Sequence, residues 1–324
     1  MSKNLLITGL NNQVDLRLFN DIIKKKNNLT IIIGSNTPEF NKEHLEENKK
    51  FIKLDLAKIE SLKNFLSNNH FDIIVHNSEL RDYSTRKFSK KRMFDFNINA
   101  TEQFINHSLE YQSKFIYFST IDVFGVRPIK LPLDEQSERV NDSFYHLTKN
   151  RAEVMIQNYV LKGLNSVIIR TSYMYGNGLP GIINDLLKLL RKHLLFITKE
   201  DVFIQMTHID LFIQTILKAI DSEIKPGTII NALDPQPVKI QELVDLIYQI
   251  YLNRNLPLHK TLGRKKMEIY YKLAYFLKLN KSIEIMNFLM NSKYFSTETQ
   301  GIRLTSKQVD TLTIWKHCLE SLKK

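Results

Sequence analysis

Tyr145 and Lys149 are the two residues whose types and spacing most directly indicate chemistry in this sequence. Residues four apart on a helix share one face, with Cβ atoms about 5–6 Å apart. An ammonium so close to a phenol favours the phenolate, and it lowers the pKa of tyrosine from about 10 toward the range of a general acid or base. An amphipathic helix with a half-buried tyrosine and a solvated lysine explains the same pair, so the interpretation depends on the elements around it.

Those elements are short apolar segments that alternate with helical patterns. Strand-like segments cover residues 5–9, 29–33, 51–54, 71–75, 114–118 and 167–170, and helical patterns cover 13–26, 59–66 and 91–109. The alternation predicts a parallel sheet with helices on both faces. Ligands bind such sheets at the carboxyl ends of the strands. Ser119 and Thr120 place two hydroxyls at such an end.

The turn after the first strand is where a dinucleotide pyrophosphate binds when glycines let the backbone approach it. The turn begins Thr8-Gly9, but Asn12 and Asp15 stand where a Gly-x-x-Gly-x-x-Gly spacing has its other glycines. Asparagine tolerates positive φ better than most residues, whereas Asp15 adds a side chain and a negative charge. By itself this turn argues against dinucleotide binding.

The composition is that of a globular protein, with 43% hydrophobic and 25% charged residues in a chain of 324. The net charge of +12 suits an anionic small molecule, but no basic run interleaved with aromatic residues indicates nucleic-acid binding. A single cysteine, Cys318, fits a reducing compartment. No signal-peptide pattern and no apolar run near the ~20 residues of a membrane span are present. We therefore expect a cytoplasmic protein, and the nine histidines show no metal-ligand spacing.

A set of motifs follows in a fixed order over residues 5–178. The set comprises Thr8-Gly9, Asp55-Leu56, His76, Asn97 ahead of Thr101, Ser119-Thr120 with Val123-Phe124-Gly125, Tyr145 with Lys149, and Arg170 with Tyr175-Gly176. On these motifs the chain resembles the extended short-chain dehydrogenase/reductase superfamily, and within it the NAD-dependent epimerase/dehydratase family. Each motif alone is weak, but their common order is specific.

The resemblance implies an α/β fold, a Rossmann-type doubly wound parallel sheet with a smaller, discontinuous C-terminal substrate lobe. The dinucleotide-binding domain would cover residues 1–176, with 206–252 returning to it. The substrate lobe would comprise 177–205 and 253–324. Members of this family commonly pair through the helices that here carry Asn97 and Tyr145, so a homodimer is also implied.

The resemblance further implies an NAD(P)-dependent oxidoreductase, epimerase or dehydratase that acts on a hydroxyl or carbonyl of a nucleotide-linked sugar. Tyr145 would transfer the proton, and Lys149 would lower its pKa and hold the nicotinamide ribose. Thr120 would hydrogen-bond the reacting oxygen, and Asn97 would orient Lys149 through water or backbone. A hydride would pass between the substrate carbon and the nicotinamide. The implied cofactor-binding residues are Thr8, Gly9, Asn11, Asn12, Asp55, Leu56, His76, Asn77, Lys149, Thr171 and Ser172, and no metal is implied.

Several residues depart from the family pattern. Gly34-Ser35 stands at the end of the second strand, where an acid would hold the ribose 2′-hydroxyl of NAD, and no adjacent arginine would hold a 2′-phosphate. NAD and NADP therefore both remain open. His76-Asn77-Ser78 lacks the small pair of the family's His-x-Ala-Ala motif. With the altered first turn, these departures support a second hypothesis, a non-catalytic or regulatory protein on the same fold with weak or lost dinucleotide binding.

The segment 264–290 is rich in tyrosine, phenylalanine, leucine, methionine and lysine. One interpretation is a membrane-surface helix with aromatic side chains inserted and lysines at the headgroups. The other is a pair of helices that pack on the substrate lobe, with the lysine stems lying along apolar surface. Because helices that cover a sheet also need wide apolar faces, we favour the second interpretation.

Overall fold

The computed structural model describes residues 3–9, 17, 21–22, 29–35, 49–77, 79–80, 88–176, 181–192, 194–252, 260–295 and 310–323. Asn11, Asn12 and Asp15 lie outside these residues, as does most of the predicted helix 13–26. The altered first turn is therefore described only up to Gly9.

The strands begin and end close to the predicted apolar segments. They are β1 (Lys3–Thr8), β2 (Leu29–Ser35), β3 (Lys49–Lys53), β4 (Ile73–His76), β5 (Lys114–Thr120), β6 (Ser166–Thr171), β7 (Met174–Tyr175), β8 (Phe196–Thr198), β9 (Phe203–Ile204), β10 (Thr207–His208), β11 (Thr228–Asn231), β12 (Val238–Lys239) and β13 (Lys260–Leu262). The short strands of the second half pair two by two, β7 with β10, β9 with β12, and β8 with β13.

The helices alternate with the long strands, as predicted. They are α1 (Ile59–Ser67), α2 (Lys90–Phe94), α3 (Ala100–Glu110), α4 (Phe144–Val160), α5 (Gly181–Arg191), α6 (Ile209–Asp221), α7 (Ile240–Leu252), α8 (Arg264–Phe276), α9 (Asn280–Met290) and α10 (Thr311–Lys323). A π-helical turn, Asp95–Asn99, joins α2 to α3, and a short 3-10 helix, Ile121–Phe124, follows β5.

Seven strands form one sheet in the order β11-β6-β5-β4-β1-β2-β3, and every neighbouring pair is parallel. The chain winds outward from β1 in one direction as far as β3 and then returns beside β1 to build the other half. The strand order therefore reverses between β1 and β4, which creates a crevice at the carboxyl ends of these two strands. The predicted doubly wound sheet is confirmed.

Apolar side chains cover both faces of this sheet. On one face, Phe212 and Ile216 of α6 pack against the inward residues of β1, β4, β5 and β6. On the other face, Leu62 of α1, Phe104 of α3 and Ile156 of α4 form a second cluster with the alternate strand residues. Because both faces are buried, the strands read as continuous apolar runs rather than as alternating ones.

The second lobe has its own core. Leu186 of α5, Leu243 of α7, Phe288 of α9 and Trp315 of α10 belong to one buried cluster. Helix α7 thus packs with the second lobe, whereas α6 and β11 pack with the large sheet. We therefore propose that the segment returning to the first domain ends before β12, earlier than residue 252.

The two lobes meet beside the carboxyl end of β5. Lys293 Nζ forms an ion pair with Asp122 Oδ1 at 2.6 Å, and the Phe295 ring packs edge-on against Phe124. Leu133 pairs with Phe295 in an isolated parallel bridge. The C-terminal segment is thereby joined to the loop that follows Thr120.

Helices α8 and α9, which cover the segment 264–290, differ in how much of their apolar surface is buried. Helix α9 packs into the second core through Ile285, Phe288 and Leu289, as predicted. Helix α8 buries only Met267 and Ala274. In the described part of the chain, no helix is both long and apolar enough to cross a membrane.

Candidate active site

Helix α4 brings Tyr145 and Lys149 together on its inward face. Ser143 caps the helix, since its hydroxyl accepts a hydrogen bond from the His146 amide at 3.1 Å. Tyr145 and Lys149 lie one turn apart from each other and are 0% and 2% exposed. The alternative of a solvated lysine is therefore excluded by the burial of Lys149.

A single oxygen atom lies against both side chains. The Tyr145 hydroxyl donates a hydrogen bond of 2.8 Å to Glu79 Oε2, and the Lys149 ammonium contacts the same oxygen at 3.1 Å. Sequence reasoning missed Glu79. The available signal was its place in the motif that begins at His76, because the second small residue of His-x-Ala-Ala is a glutamate here.

The Lys149 ammonium is enclosed by further acceptors. It donates to the Phe118 carbonyl at 2.5 Å and lies 4.4 Å from the centre of the Tyr117 ring. Burial alone would lower the pKa of Lys149, but Tyr117 and the Glu79 carboxylate outweigh burial and raise this pKa above its ordinary value. Lys149 is therefore a permanent cation at neutral pH.

A chain of buried hydrogen bonds lies behind the pair. Thr101 Oγ1 donates to the Asn97 carbonyl at 2.8 Å, so it accepts from His76 Nε2 at 2.9 Å. The Nδ1 atom of His76 is then the acceptor for Thr8 Oγ1 at 2.7 Å. Burial, with the nearby charge of Lys149, lowers the pKa of His76 to about 3. His76 is thus a neutral link between the ends of β1 and β4.

Asn97 holds two segments in place. It lies in the π-helical turn, where the wider helix changes the direction of its side chain. Its amide accepts from the Leu80 amide at 2.8 Å and donates to the Leu80 carbonyl and to Thr148 Oγ1, both at 3.0 Å. These bonds fix Leu80, the residue after Glu79, against helix α4. Asn97 thus contacts the residue next to Glu79, and its predicted orienting of Lys149 stays a prediction.

Thr120 lies at the end of β5, where its hydroxyl accepts from the Asp122 amide at 3.2 Å and caps the following 3-10 helix. Thr171 ends the neighbouring strand β6, and its hydroxyl contacts the Ser119 carbonyl at 3.4 Å. The Ser172 amide donates to Thr207 Oγ1 at 2.9 Å. These hydroxyls thus line one edge of the sheet, and the direct contact predicted between Thr120 and substrate stays a prediction.

Four of the other predicted cofactor residues, Thr8, Gly9, His76 and Asn77, lie at the carboxyl ends of β1 and β4. Gly9 has φ of 84°, a conformation that glycine adopts without strain, and the Asn77 amide donates to the Thr8 carbonyl at 3.3 Å. Asp55 forms an ion pair with Arg92 at 3.3 Å, and Leu56 is buried in the core. Leu56 therefore positions Asp55 rather than facing the crevice.

A buried ion pair fixes helix α4 to strand β6. Arg170 Nε and Nη2 meet the two carboxylate oxygens of Glu153 at 2.9 and 2.7 Å, and Arg139 Nη2 meets Glu153 Oε2 at 2.7 Å. Burial would raise the pKa of Glu153, but the two arginines outweigh it and lower this pKa. The arginine of the sequence motif is therefore structural, since it locks the helix that carries Tyr145.

Position 176, which holds the last glycine of the sequence motifs, requires glycine. Its φ is 138°, and a Cβ atom there would overlap Ile209 at the start of α6. In the residues that the structure describes, no group of His, Cys, Asp or Glu side chains could hold a metal ion.

A parallel sheet with a crevice at its reversal point and a buried phenol–ammonium pair beside that crevice define a dinucleotide-dependent enzyme of the short-chain dehydrogenase type. The family model for the NAD dependent epimerase/dehydratase family matches residues 5–232. The chain belongs to this family. The predicted enzyme class and its NAD(P) cofactor are thereby confirmed.

Relatives of this chain act on nucleotide sugars. The UDP-N-acetyl-alpha-D-glucosaminuronate decarboxylase of Bacillus cytotoxicus is 23% identical over 265 residues, 77% of this chain and 81% of that protein. The UDP-glucuronic acid 4-epimerase of Bacillus cereus, solved with NAD, has a TM-score of 0.72 at 17% identity, over 99% of this chain and 100% of that one. The UDP-N-acetylglucosamine 4-epimerase of Methanobrevibacter ruminantium M1, solved with UDP-N-acetylmuramic acid, has a TM-score of 0.71 at 17% identity, over 99% and 98%.

The crevice can be tested for its fit to a nicotinamide dinucleotide. At the β1 end, Gly9 has no side chain that would keep a phosphate from the backbone. At the other end, the hydroxyl of Tyr145 and the ammonium of Lys149 are both engaged by Glu79. The residues therefore fit the cofactor once Glu79 releases the pair.

Proposed function

We propose that this protein is an NAD(P)-dependent enzyme that oxidises a hydroxyl of a UDP-sugar, as the first step of an epimerisation, dehydration or decarboxylation. Its acid/base group is Tyr145, with Lys149 as the cation beside it. The relatives support the substrate class, because the names of three of them include UDP-sugars.

The observation that best supports this proposal is the position of the Glu79 Oε2 atom. It stands where the phenol and the ammonium converge, at 2.8 and 3.1 Å. A substrate or ribose hydroxyl placed there would meet the same two groups, because a hydroxyl oxygen also accepts from both. Glu79 thus shows that the pair can hold one oxygen atom between them.

In this proposal, Tyr145 takes the proton of the substrate hydroxyl while Lys149 stabilises the phenolate charge. Thr120 donates to the reacting oxygen and holds it in line. The bound dinucleotide supplies the hydride acceptor. The burial of both Tyr145 and Lys149 keeps water from the pair, which strengthens the interaction between charge and phenol.

The test is a panel of UDP-sugars with purified protein and NAD or NADP. UDP-N-acetylglucosamine, UDP-glucuronate and UDP-N-acetylglucosaminuronate share the C4 hydroxyl and differ in their C2 and C6 substituents, so the panel separates 4-epimerisation from decarboxylation. We expect one of them to give an epimer or to release carbon dioxide. Chromatography and NMR detect these products. Loss of both products in Tyr145→Phe supports the proposal, and retained turnover in that variant contradicts the role of Tyr145.

Glu79 must leave the pair when substrate and cofactor enter. Replacing its carboxylate by a neutral amide should therefore tighten cofactor binding, because the competing bonds to Tyr145 and Lys149 lose their charge and become weaker. A charge-assisted hydrogen bond contributes about 1.5–3 kcal/mol, so we expect the Kd of NADH or NADPH to fall roughly tenfold in Glu79→Gln. Fluorescence titration measures this Kd.

Glu102→Gln is the matched control, since Glu102 accepts a hydrogen bond from Tyr159 away from the crevice. An unchanged Kd in both variants would show that Glu79 does not compete with the cofactor. If no variant binds either dinucleotide, the proposed cofactor dependence fails, and the regulatory hypothesis takes its place.

A further inference from the structure

Helix α8 turns an apolar face to solvent. The exposed large side chains of α8 and of its C-cap residue are Ile269, Tyr270, Leu273, Tyr275, Phe276 and Leu277, and we call all of them except Tyr275 the outer face. Phe276 is 80% exposed and Ile269 65%. Contiguous exposure of this kind marks an interaction site in a folded protein, whereas single exposed apolar residues do not.

The spacing of these residues places them on one face of the helix. Ile269, Leu273 and Phe276 follow the i, i+4, i+7 pattern of one helix face. Met267 and Ala274, also seven apart, point to the opposite side and are buried. The helix therefore has two apolar faces, and the fold covers only one of them in the described residues.

Basic residues border the outer face. Between residues 264 and 281 the basic residues are Arg264, Lys265, Lys266, Lys272, Lys278 and Lys281. The one acid in this range is Glu268, which contacts Arg264 Nε and Arg127 Nη1 at 3.5 Å each. A second copy of this face would bring like charges together, which opposes self-association here. The complementary surface is anionic.

We propose that the outer face of α8 docks the protein on an anionic lipid bilayer. At 13 residues the helix is too short to span a bilayer and lies in the plane of the interface. Phe276, Leu273 and Ile269 enter the headgroup–acyl boundary, Tyr270 lies at headgroup depth, and the lysines contact lipid phosphates.

The docked helix is joined to the crevice. Arg264 Nη2 lies 3.5 Å from Asn291 Oδ1, and Arg127 Nε donates to the same atom at 3.1 Å. Arg127 follows the loop that Thr120 begins. Membrane docking therefore holds the second lobe, with this edge of the active site, close to the lipid surface.

Vesicle flotation tests the proposal. The probes are phosphatidylcholine vesicles and vesicles of equal parts phosphatidylcholine and phosphatidylglycerol. We expect the intact protein to float with the anionic vesicles only, and to be released between about 0.1 and 1 M salt as the Debye length falls from about 10 to 3 Å. The double variant Leu273→Glu with Phe276→Glu should reduce the bound fraction at least about tenfold.

Leu161→Glu is the matched control, because Leu161 is 87% exposed at the end of α4, away from α8. It should bind vesicles as the wild type does. Circular dichroism confirms the fold of each variant. Absence of anionic vesicle binding, or binding that survives the double variant, overturns the proposal. Self-association without vesicles that the double variant abolishes also overturns it, in favour of a second copy.

Discussion

Buried polar groups lie behind the crevice in the first domain and beside the start of α6 at the boundary with the second lobe, and the hydrogen bonds of the two sets differ in completeness. Behind Tyr145, the side chains of Thr8, His76 and Thr101 form a continuous series of hydrogen bonds of 2.7 to 2.9 Å that ends at the Asn97 carbonyl. Each donor in this series has an acceptor, so the tautomer of the imidazole and the direction of each hydroxyl are fixed. Such a network resists rearrangement.

The second set is less complete. Tyr175 stacks on Trp315 at 3.6 Å, and His208 contacts Cys318 Sγ at 3.2 Å. Asp234 Oδ1 accepts from the His208 amide at 3.1 Å, but Asp234 Oδ2, Tyr175 Oη and Trp315 Nε1 make no hydrogen bond of good geometry among the described residues. Burial raises the pKa of Asp234 to about 7, against the lowering effect of Tyr175 and His208.

We infer from this difference that the first set supports the proposed chemistry. In the first domain a fully paired network fixes the segment that holds Glu79 against Tyr145 and Lys149, so the polar groups serve position. Beside the start of α6, burial raises the pKa of Asp234, and Asp234 Oδ2 makes no hydrogen bond of good geometry among the described residues. We therefore expect activity to depend on the first set, and we expect Asp234 of the second set to lower the free energy of unfolding as the pH rises.

The largest expected effect is on turnover. Tyr145→Phe removes the proposed proton-transferring group, and general acid–base catalysis contributes about 10²–10⁴-fold, so kcat should fall by this factor. Asp234→Asn should leave kcat within about threefold, because Asp234 touches no part of the proposed site. Initial rates on the UDP-sugar that the panel identifies measure both. An equal loss in the two variants would remove the distinction between the regions.

The sheet and the pair at residues 145 and 149 were predictable because they rest on local patterns. Apolar runs set the strands, and a spacing of four placed Tyr145 and Lys149 on one helix face. The role of Glu79 was not predictable in this way, because its contact with Tyr145 spans 66 residues of sequence. The outward face of α8 was not predictable either, since periodicity gives an apolar stripe but not the side that the fold covers.

The next effect concerns stability against pH. Asp234 has a pKa of about 7 when folded and about 3.8 when unfolded, so the folded state binds more protons in between. Ionisation of Asp234 therefore lowers the free energy of unfolding as the pH rises from about 4 to 7, by at most roughly 4 kcal/mol. Asp234→Asn should abolish this loss. Urea unfolding at pH 5 and at pH 7.5 measures it.

His76 acts in the opposite direction, which sharpens this test. Its pKa falls from 6.5 to about 3 on folding, so it stabilises the fold above pH 6.5 and loses this contribution as the pH falls. Asp234→Asn lacks the destabilising ionisation of Asp234. Its free energy of unfolding should therefore rise more steeply from pH 5 to 7.5 than that of the wild type. An identical slope in the two proteins would mean that Asp234 is ionised in the fold.

The smallest expected effect tests the closed network itself. Thr101→Val keeps the volume of the side chain but removes the hydroxyl that accepts from His76 Nε2 and donates to the Asn97 carbonyl. Leaving a buried donor unpaired costs about 1–3 kcal/mol, so the free energy of unfolding should fall by this amount. Thr313→Val on the exposed start of α10 is the control, and its loss should be smaller, because Thr313 Oγ1 bonds only to the exposed Asp310. Comparable losses would show that the network behind Tyr145 contributes no more than a surface hydrogen bond, and the contrast between the two regions would then rest on catalysis alone.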